Sequence, residues 1–261
     1  MKTFTKVDLI KELKRIAALG WVESGRHGNH GGVGNTLEDL LGIEENNLPI
    51  PNASEWELKT QRLTTSSLTT LFHLEPSPQA LKFVGKILLP KYGWPHKEAG
   101  KKYGGTEMSF RQTISGVSRS DRGFKVVVDR DSKKVLISFD ASAVSDRHRD
   151  WLKSVGERIG LSELNPQPYW GFEDLEHKVG SKLNNSFFVQ ADVKKVNGKE
   201  WYKYERAMIL GGLDFEGFLQ GLETAIIFVD FDARTGHNHG TKFRIRQNNW
   251  PILYRNKEVI F

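Results

Sequence analysis

Three charged side chains share one face of a predicted strand in the segment EWELKTQ. Side chains on a strand alternate between its two faces, so Glu55, Glu57 and Lys59 point the same way. Mg²⁺ prefers hard oxygen ligands and keeps several waters, so two carboxylates are enough to hold it. A bound metal polarises a phosphate and activates a water, while a neighbouring lysine orients that water and offsets developing charge. The pattern therefore indicates metal-assisted hydrolysis of a phosphodiester.

The acidic-x-Lys pattern is not specific by itself, because it occurs five times in the chain. The occurrences are Glu12/Lys14, Glu57/Lys59, Asp131/Lys133, Glu176/Lys178 and Asp192/Lys194. Most of these pairs must lie on solvated faces of strands or helices, and a short motif carries a high rate of false matches. The assignment of Glu57 and Lys59 therefore depends on the residues that precede them.

Those preceding residues form an ordered series with the Glu57/Lys59 pair. Glu38 lies on a short predicted helix, and Pro51-Asn52 lies in a turn that enters the strand. The series resembles the MvaI/BcnI group of monomeric restriction endonucleases, which are relatives of the MutH mismatch-repair nicking enzyme. In that group a helical Glu, a Pro-Asp and a Glu-x-Lys form the active site. The resemblance implies that Glu38, Asn52, Glu57 and Lys59 are catalytic, with Asn52 and Glu57 as ligands of Mg²⁺.

Position 52 departs from the family pattern, which has Asp where this chain has Asn52. An amide oxygen can bind a metal but brings no negative charge, so metal affinity and catalysis should fall. The chain is then an inactivated variant that traps uncut DNA, a naturally degenerate protein, or an enzyme in which Glu55 replaces the missing ligand. We favour the first, because Asp to Asn conserves shape while removing charge.

Groups that read DNA base edges are concentrated in the segment VDFDARTGHNHGTKFRIRQ near the C-terminus. Lys242, Arg244 and Arg246 alternate with apolar residues, which places three cations on one strand face. Arginine donates two hydrogen bonds to guanine, and a carboxylate such as that of Asp232 accepts from cytosine. The same alternation also occurs on strands that simply face solvent.

The family resemblance extends into this segment and implies specific roles. It assigns base recognition to the pairs Asp232/Arg234 and His237/His239 and to Arg244. The implied target is a five-base site of the CC-(A/T)-GG or CC-(C/G)-GG kind, with the A/T centre slightly favoured. The histidine pair also has the spacing of metal ligands, but no third ligand is evident.

Two further segments carry weaker signals for phosphate contacts. The Gly-rich stretch from Gly25 to Gly34 is predicted to be a mobile loop, in which Arg26, His27 and His30 either clamp a phosphate or lie on a plain surface loop. Arg111, Arg119 and Arg122 are a second possible set of phosphate ligands.

Periodicity predicts an α/β or α+β fold, with helix signals near both ends and strands between them. The predicted helices cover residues 5–19 (capped by Thr5 and Asp8), a short segment capped by Thr36 and Asp39 and ended by Gly42, and residues 78–89, 147–160 and 171–183. The predicted strands are EWELKTQ, SLTTLFHL, Phe124–Asp129, Val135–Asp140, Phe187–Lys195, Trp201–Leu210 and Ala225–Asp232, with Asn197-Gly198 as a hairpin turn. The resemblance implies a mixed sheet flanked by helices, in two lobes around a DNA cleft. We expect a catalytic lobe over residues 1–165 and a DNA-recognition lobe over residues 166–261.

Composition agrees with a DNA-binding protein but does not require one. The 261 residues include 38 Lys and Arg against 32 Asp and Glu, with a pI of about 9.3. The absence of cysteine excludes disulfides, thiolate catalysis and Cys-bound zinc. Charged residues interrupt the apolar stretch at the N-terminus, so we expect no signal peptide and a cytoplasmic protein.

The sequence thus predicts a type II restriction endonuclease that cuts double-stranded DNA with Mg²⁺. One active site per chain implies a monomer that cuts one strand at a time, without an obligate protein partner. The first alternative is a MutH-like nicking enzyme of DNA repair, which should need an activator. The second is a sequence-specific DNA-binding protein with a dead nuclease site, which Asn52 favours.

Overall fold

The computed structural model describes residues 4–25, 32–43, 56–65, 67–183 and 185–261. The α-helices are α1 (Lys6–Ala18), α2 (Gly32–Leu41), α3 (Leu89–Tyr92), α4 (Arg149–Ile159), α5 (Phe172–Leu183) and α6 (Phe215–Glu223). The strands are β1 (Val22–Glu23), β2 (Glu57–Arg62), β3 (Leu68–His73), β4 (Trp94–Pro95), β5 (Met108–Ile114), β6 (Arg122–Asp129), β7 (Lys134–Val144), β8 (Tyr169–Gly171), β9 (Ser186–Val196), β10 (Lys199–Leu213), β11 (Ile227–Arg234), β12 (His237–Asn238), β13 (Lys242–Arg246) and β14 (Tyr254–Val259). Short 3-10 segments cover Gln79–Leu81, Asp146–His148 and Gln247–Leu253, and a π-helix covers Val84–Leu88. The predicted α+β class is confirmed.

The chain forms two compact units that are interleaved along the sequence. Unit 1 comprises Met1–Ser67, Gly180–Asp214 and Gln247–Phe261, and unit 2 comprises Leu68–Val179 and Phe215–Arg246. These units do not follow the predicted boundary at residue 165. The reason is strand pairing across long sequence separations: β2 pairs in parallel with β9, and β10 pairs with β14.

Unit 1 is built on a sheet with the strand order β1-β10-β9-β2, in which β14 also pairs with β10. Helix α1 begins at the predicted capping box, in which the Thr5 hydroxyl accepts from the backbone N–H of Asp8. Helices α1 and α2 bury Leu13 and Leu37 against one face of the sheet, which presents Leu58 and Phe187. This apolar layer fixes which face of β2 remains available for polar side chains.

The hairpin that joins β9 to β10 confirms the turn predicted at Asn197-Gly198. Both residues have positive φ, at 50° and 80°. Two successive positive φ values are the requirement of the tight hairpin turn that Asn-Gly favours. The turn places β9 beside β10 and leaves the other edge of β9 for β2.

Unit 2 contains a sheet with the order β3-β13-β11-β5-β4 and a second sheet with the order β6-β7-β8. Alternation along β13 buries Phe243 and Ile245, while Lys242 and Arg244 lie on the opposite face. The buried face belongs to an aromatic core in which Phe110 contacts Phe124 and Phe231. The first sheet of unit 2 therefore has one apolar face and one polar face.

Some local predictions were wrong. Helix α2 begins at Gly32, so the predicted cap Thr36 is a buried residue in the middle of the helix. Gly32–Gly34 therefore belong to a helix and not to the predicted loop, while Arg26, His27 and His30 lie outside the described residues. A side chain at position 32 would collide with the Tyr202 hydroxyl, which explains why this position of the helix is glycine.

Other elements differ in type or were not predicted. The predicted helix over 78–89 is a 3-10 turn followed by a π-helix and then α3. Strands β5 and β14 and helix α6 were not predicted, because the first two have mostly polar sequences and the third contains two glycines. None of the helices in the described parts of the chain is long and apolar enough to cross a membrane.

Candidate functional site

Strand β2 holds Glu57 and Lys59 on the face that is turned away from the helices of unit 1. The neighbouring Leu58 is buried in the helix-covered core, so the residues on either side of it must point the other way. Parallel pairing with β9 sets Glu57 opposite Ser186 and Lys59 opposite Phe188. The predicted shared face of Glu57 and Lys59 is present in the structure.

Glu57 and Lys59 bind each other directly. The Nζ of Lys59 donates to Oε1 of Glu57 over 2.6 Å, and the side chains of Lys59 and Glu57 are 28% and 24% exposed. Both groups can therefore be reached by a ligand while their stems remain held by the sheet. A carboxylate oxygen and an ammonium at hydrogen-bond distance can bind a divalent cation and orient a water beside it.

Two buried aromatic residues, Trp250 and Tyr254, lie near this pair. The ring centroid of Trp250 lies 5.7 Å from the Nζ of Lys59, close enough for a cation–π interaction. The hydroxyl of Tyr254 shares a 3.0 Å hydrogen bond with that of Ser186. Burial, with a smaller contribution from the charge of Glu57, raises the pKa of Tyr254 to about 12. Tyr254 therefore stays neutral and cannot be the base of a reaction near neutral pH.

Of the other residues predicted for the catalytic site, Glu38 is among the described residues. Glu38 lies on α2 and is partly buried, whereas Asn52 and Glu55 lie outside the described residues. Helix α2 packs on the face of β2 that bears Leu58 and Thr60. The catalytic roles of these residues and the metal-binding role of Asn52 remain predictions.

The donor set suits a hard divalent cation. Glu57 has a carboxylate oxygen of the kind that such a cation binds, and the predicted second ligand, Asn52, has a neutral amide oxygen. Within the described ranges, no three side chains of His, Cys, Asp or Glu converge as a metal site. A soft-metal or zinc-type cage is therefore not present among those residues, while a site of few protein oxygens and several waters agrees with Glu57.

The polar face of the first sheet in unit 2 collects most of the residues predicted to read DNA. Asp230 of β11 is only 8% exposed. Its carboxylate accepts from Thr113 of β5 over 2.7 Å and from Arg244 of β13 over 3.2 Å. Arg244 also donates to the carbonyl of Leu68 over 2.7 Å. The predicted reader Arg244 is thus held in one orientation by two neighbouring strands.

Asp232 forms a second ion-pair group on the same face, two residues further along β11. Arg111 of β5 donates to both of its carboxylate oxygens, over 2.8 and 3.1 Å, and Lys242 of β13 donates over 3.4 Å. Burial raises the pKa of Asp232, but the hydrogen bond and charge of Arg111, assisted by Lys242, outweigh it and hold the pKa below its usual value. The group is therefore an ionised acceptor.

The hairpin end of β11 carries the other predicted readers. Arg234 donates to Glu107 over 3.0 Å, and its guanidinium lies 4.6 Å from the ring centroid of Tyr103. The rings of His237 and His239 are exposed, with centroids 4.2 Å apart and an interplanar angle of 77°. The structure thus brings Asp232, Arg234, His237, His239, Lys242 and Arg244 onto one sheet and its hairpin, with Arg246 at the end of β13.

The three arginines suggested as phosphate ligands have different surroundings. Arg119 donates to Gly123 and Ser138, and Arg122 lies 3.8 Å from the ring centroid of Trp94. Both stabilise the interior of unit 2, which the sequence did not suggest. Arg111 was suggested only weakly, yet it is the main partner of Asp232. The alternation of apolar Phe110 with Arg111 was the sequence signal that could have placed Arg111 on the polar face of a strand.

Comparison with known proteins points to one family. The model of the MvaI/BcnI restriction endonuclease family matches residues 10–254. The chain is 26% identical to a solved complex of restriction endonuclease MvaI with cognate DNA substrate, with a TM-score of 0.74 and coverage of 99% of this chain and 100% of that one. MvaI in the absence of DNA is also 26% identical, with a TM-score of 0.59 and complete coverage of both chains. No curated protein sequence matches the chain.

Proposed function

The chain belongs to the MvaI/BcnI restriction endonuclease family, and from that premise we propose that it binds double-stranded DNA and hydrolyses it with Mg²⁺ at a short site. The proposed site is of the CC-(A/T)-GG or CC-(C/G)-GG kind. The observation that carries the chemistry is the contact of Glu57 with Lys59 on the open face of β2. We further propose that the enzyme acts as a monomer in the cytoplasm, without a protein partner.

In this proposal Glu57 and Asn52 hold Mg²⁺, and Glu38 completes the catalytic set. The metal, when bound, polarises the scissile phosphate and lowers the pKa of the attacking water. Glu57 has two carboxylate oxygens, so it can bind a metal through one while Lys59 stays near the other. Lys59 then orients the water and offsets negative charge on the phosphate as the water attacks phosphorus. The bond from phosphorus to the 3′ oxygen breaks, the attacking water releases a proton to solvent and the 3′ oxygen takes one up, which gives 5′-phosphate and 3′-hydroxyl ends.

Sequence reading is assigned to the polar face and hairpin of unit 2. Asp232 keeps lone pairs for a cytosine amino group even while Arg111 binds it, because a carboxylate has about four acceptor sites. Arg234 and Arg244 are proposed to donate to guanines, and His237 and His239 to contact the central base pair. Lys242 and Arg246 supply further positive charge on the same strand.

The experiment that tests this proposal measures binding and cleavage with one set of duplexes. Duplexes with CC-(A/T)-GG, CC-(C/G)-GG or a scrambled site are bound in EDTA and then exposed to Mg²⁺. The proposal expects preferential binding of one of the first two, and cleavage that requires the metal and is slow for this chain but fast for Asn52→Asp. Equal binding of all three in EDTA and no cleavage in Mg²⁺ would contradict it.

A second candidate function is sequence-specific DNA binding without cleavage, and Asn52 is the residue that favours it. An uncharged donor at that position weakens metal binding whatever the origin of the substitution. Specific binding in EDTA, with no cleavage by either this chain or Asn52→Asp, would support this candidate. A MutH-like nicking enzyme would instead yield nicked circles, and only after an activating protein is added.

A further inference from the structure

Unit 2 contains a cavity of about 490 Å³ beside the hairpin of predicted base readers. The π-helix and the turn before it line one side with Lys82, Gly85 and Lys86. The end of β11 and the hairpin line the other side with Arg234, His237 and Asn238. The cavity is therefore continuous with the surface to which sequence reading is assigned.

The two lysines give the cavity an excess of positive charge. Lys82 and Lys86 are exposed, and neither forms an ion pair with any residue in the described parts of the chain. The backbone N–H of Lys86 donates to the carbonyl of Lys82 over 2.9 Å, which stacks the two residues one turn apart. Both ammonium groups can therefore approach the same ligand.

The acidic residue in the lining, Glu75, is already engaged. Its Oε1 accepts from the backbone N–H of Thr241 over 2.8 Å, and its Oε2 accepts from the Thr241 hydroxyl over 3.3 Å. Arg234 has an acidic partner in Glu107. Because Arg234 is offset by Glu107, the two positive charges of Lys82 and Lys86 outweigh the single negative charge of Glu75, and the lining is cationic.

Gly85 leaves the cavity open between the two lysines. A Cβ built at Gly85 would meet no described atom within 4 Å. The wall at this point is bare backbone, which lets a ligand approach closely. A π-helical turn is rare and is frequently found at functional sites.

We propose that this cavity receives a phosphate of the DNA backbone, bound by Lys82 and Lys86, next to the bases that Arg234 and His237 read. The proposal rests on the proposed function, which supplies the DNA. Flexible ammonium groups bind phosphate as point charges and carry no base information, so their role is to set the position of the duplex.

The test compares the salt dependence of DNA binding in EDTA for the parent chain and Lys82→Gln/Lys86→Gln. Each neutralised phosphate contributes about 0.9 to the slope of log K against log salt, so the double variant, which no longer binds this phosphate, should lose about 0.9. Affinity should fall about 10- to 100-fold near 0.1 M salt, equally for cognate and scrambled duplexes. Lys153→Gln, on the exposed side of α4, is the control for loss of a surface lysine away from the cavity and should change neither quantity.

A second pair of variants tests the cavity without removing a lysine. Gly85→Glu places a carboxylate where the phosphate would lie and should weaken binding of both duplexes. Gly85→Ala enters the same open space without charge and should bind as the parent does. Thermal unfolding of every variant checks that the fold is retained.

A scan of duplexes with single methylphosphonates identifies the phosphate. One neutralised position should weaken binding by the parent chain and have no effect on the Lys82→Gln/Lys86→Gln variant. An unchanged salt slope, or identical scans for the two proteins, would overturn the proposal while leaving DNA binding intact. A loss confined to the cognate duplex would also overturn it, because it would show base contacts. If the parent chain binds no DNA, the proposed function itself fails.

Discussion

The polar face of β2 in unit 1 and that of β11 in unit 2 differ in the exposure and the partners of their charged side chains. On β2 of unit 1, Glu57 and Lys59 bind each other, and both remain about a quarter exposed. On β11 of unit 2, Asp230 and Asp232 are each held by a cation from a neighbouring strand, and Asp230 is nearly buried. The face of β2 carries one accessible ion pair. The face of β11 belongs to a network of ion pairs that spans β5, β11 and β13.

This difference corresponds to two kinds of task. A network of fixed ion pairs holds donors and acceptors at set positions before DNA arrives, which suits the recognition of base edges. An accessible Glu–Lys pair can rearrange when a metal and a phosphate bind, which suits catalysis. Changes on β2 should therefore affect the rate of cleavage, whereas changes on β11 and its neighbours should affect affinity and stability.

The largest expected effect tests the catalytic face. In an Asn52→Asp background, Lys59→Met should lower the rate of cleavage by about 10²–10³, because it removes the group that offsets charge on the phosphate. Binding of cognate DNA in EDTA should change little. The measurement is single-turnover cleavage together with an equilibrium binding assay, and a matching loss of binding would show that Lys59 contributes to affinity and not to the chemical step.

The next effect tests the recognition network. Arg244→Ala should weaken binding of the cognate duplex by about 1–3 kcal/mol and leave scrambled DNA less affected. It should also lower the melting temperature, because the carboxylate of Asp230 would lose its charged partner. Fluorescence anisotropy and calorimetry provide the two readouts. An equal loss for both duplexes would assign Arg244 to a phosphate.

A smaller effect concerns pH. The folded-state pKa of Asp232 is lowered, so its contribution to stability is present above its unfolded pKa of about 3.9 and is lost as the pH falls through the lower folded value. Arg111→Ala should raise that pKa and cost about 1 kcal/mol or less above pH 4, since Arg111 is largely exposed. Denaturant unfolding between pH 2.5 and 6 should show the two proteins converging in acid. A difference that is constant with pH would indicate lost packing instead.

The last prediction tests whether the hydrogen bond between Tyr254 and Ser186 contributes to catalysis by Glu57 and Lys59 on β2. Tyr254→Phe removes the hydroxyl that binds Ser186 and should cost about 1 kcal/mol of unfolding free energy. Cleavage by the Asn52→Asp form should change less than about threefold, because a neutral Tyr254 cannot act as the base. Ser186→Ala is the matched control from the other side of the bond. A tenfold loss of cleavage in either variant would contradict the simple two-residue picture of this face.

Features that depend on neighbouring residues in the sequence were predictable. The cap of α1 at Thr5, the Asn197-Gly198 turn and the shared face of Glu57 and Lys59 each follow from local spacing. The family resemblance added the order of the catalytic residues and the reading segment. The restriction endonuclease family and its fold are confirmed by the match over residues 10–254 and by the MvaI structures.

Features that depend on strand order were not predictable. Arg111 and Asp232 are 121 residues apart, and their contact exists only because β5 lies beside β11. The glycine at position 32 of α2 is required by the hydroxyl of Tyr202, which comes from a distant strand. The interleaved units have the same origin, since the pairing of β2 with β9 joins distant parts of the chain.

The most direct test of the account is cleavage of plasmid DNA with Mg²⁺ by this chain and by Asn52→Asp. The account predicts discrete fragments from the Asp form, at a rate about 10²–10³ above that of the present chain, since a charged ligand joins Glu57 at the metal. An Asn52→Ala variant, which has no donor at this position, should cut no better than the present chain. If neither the Asn nor the Asp form cuts DNA with any divalent metal while both still bind it, the claim that β2 carries a hydrolytic site is contradicted.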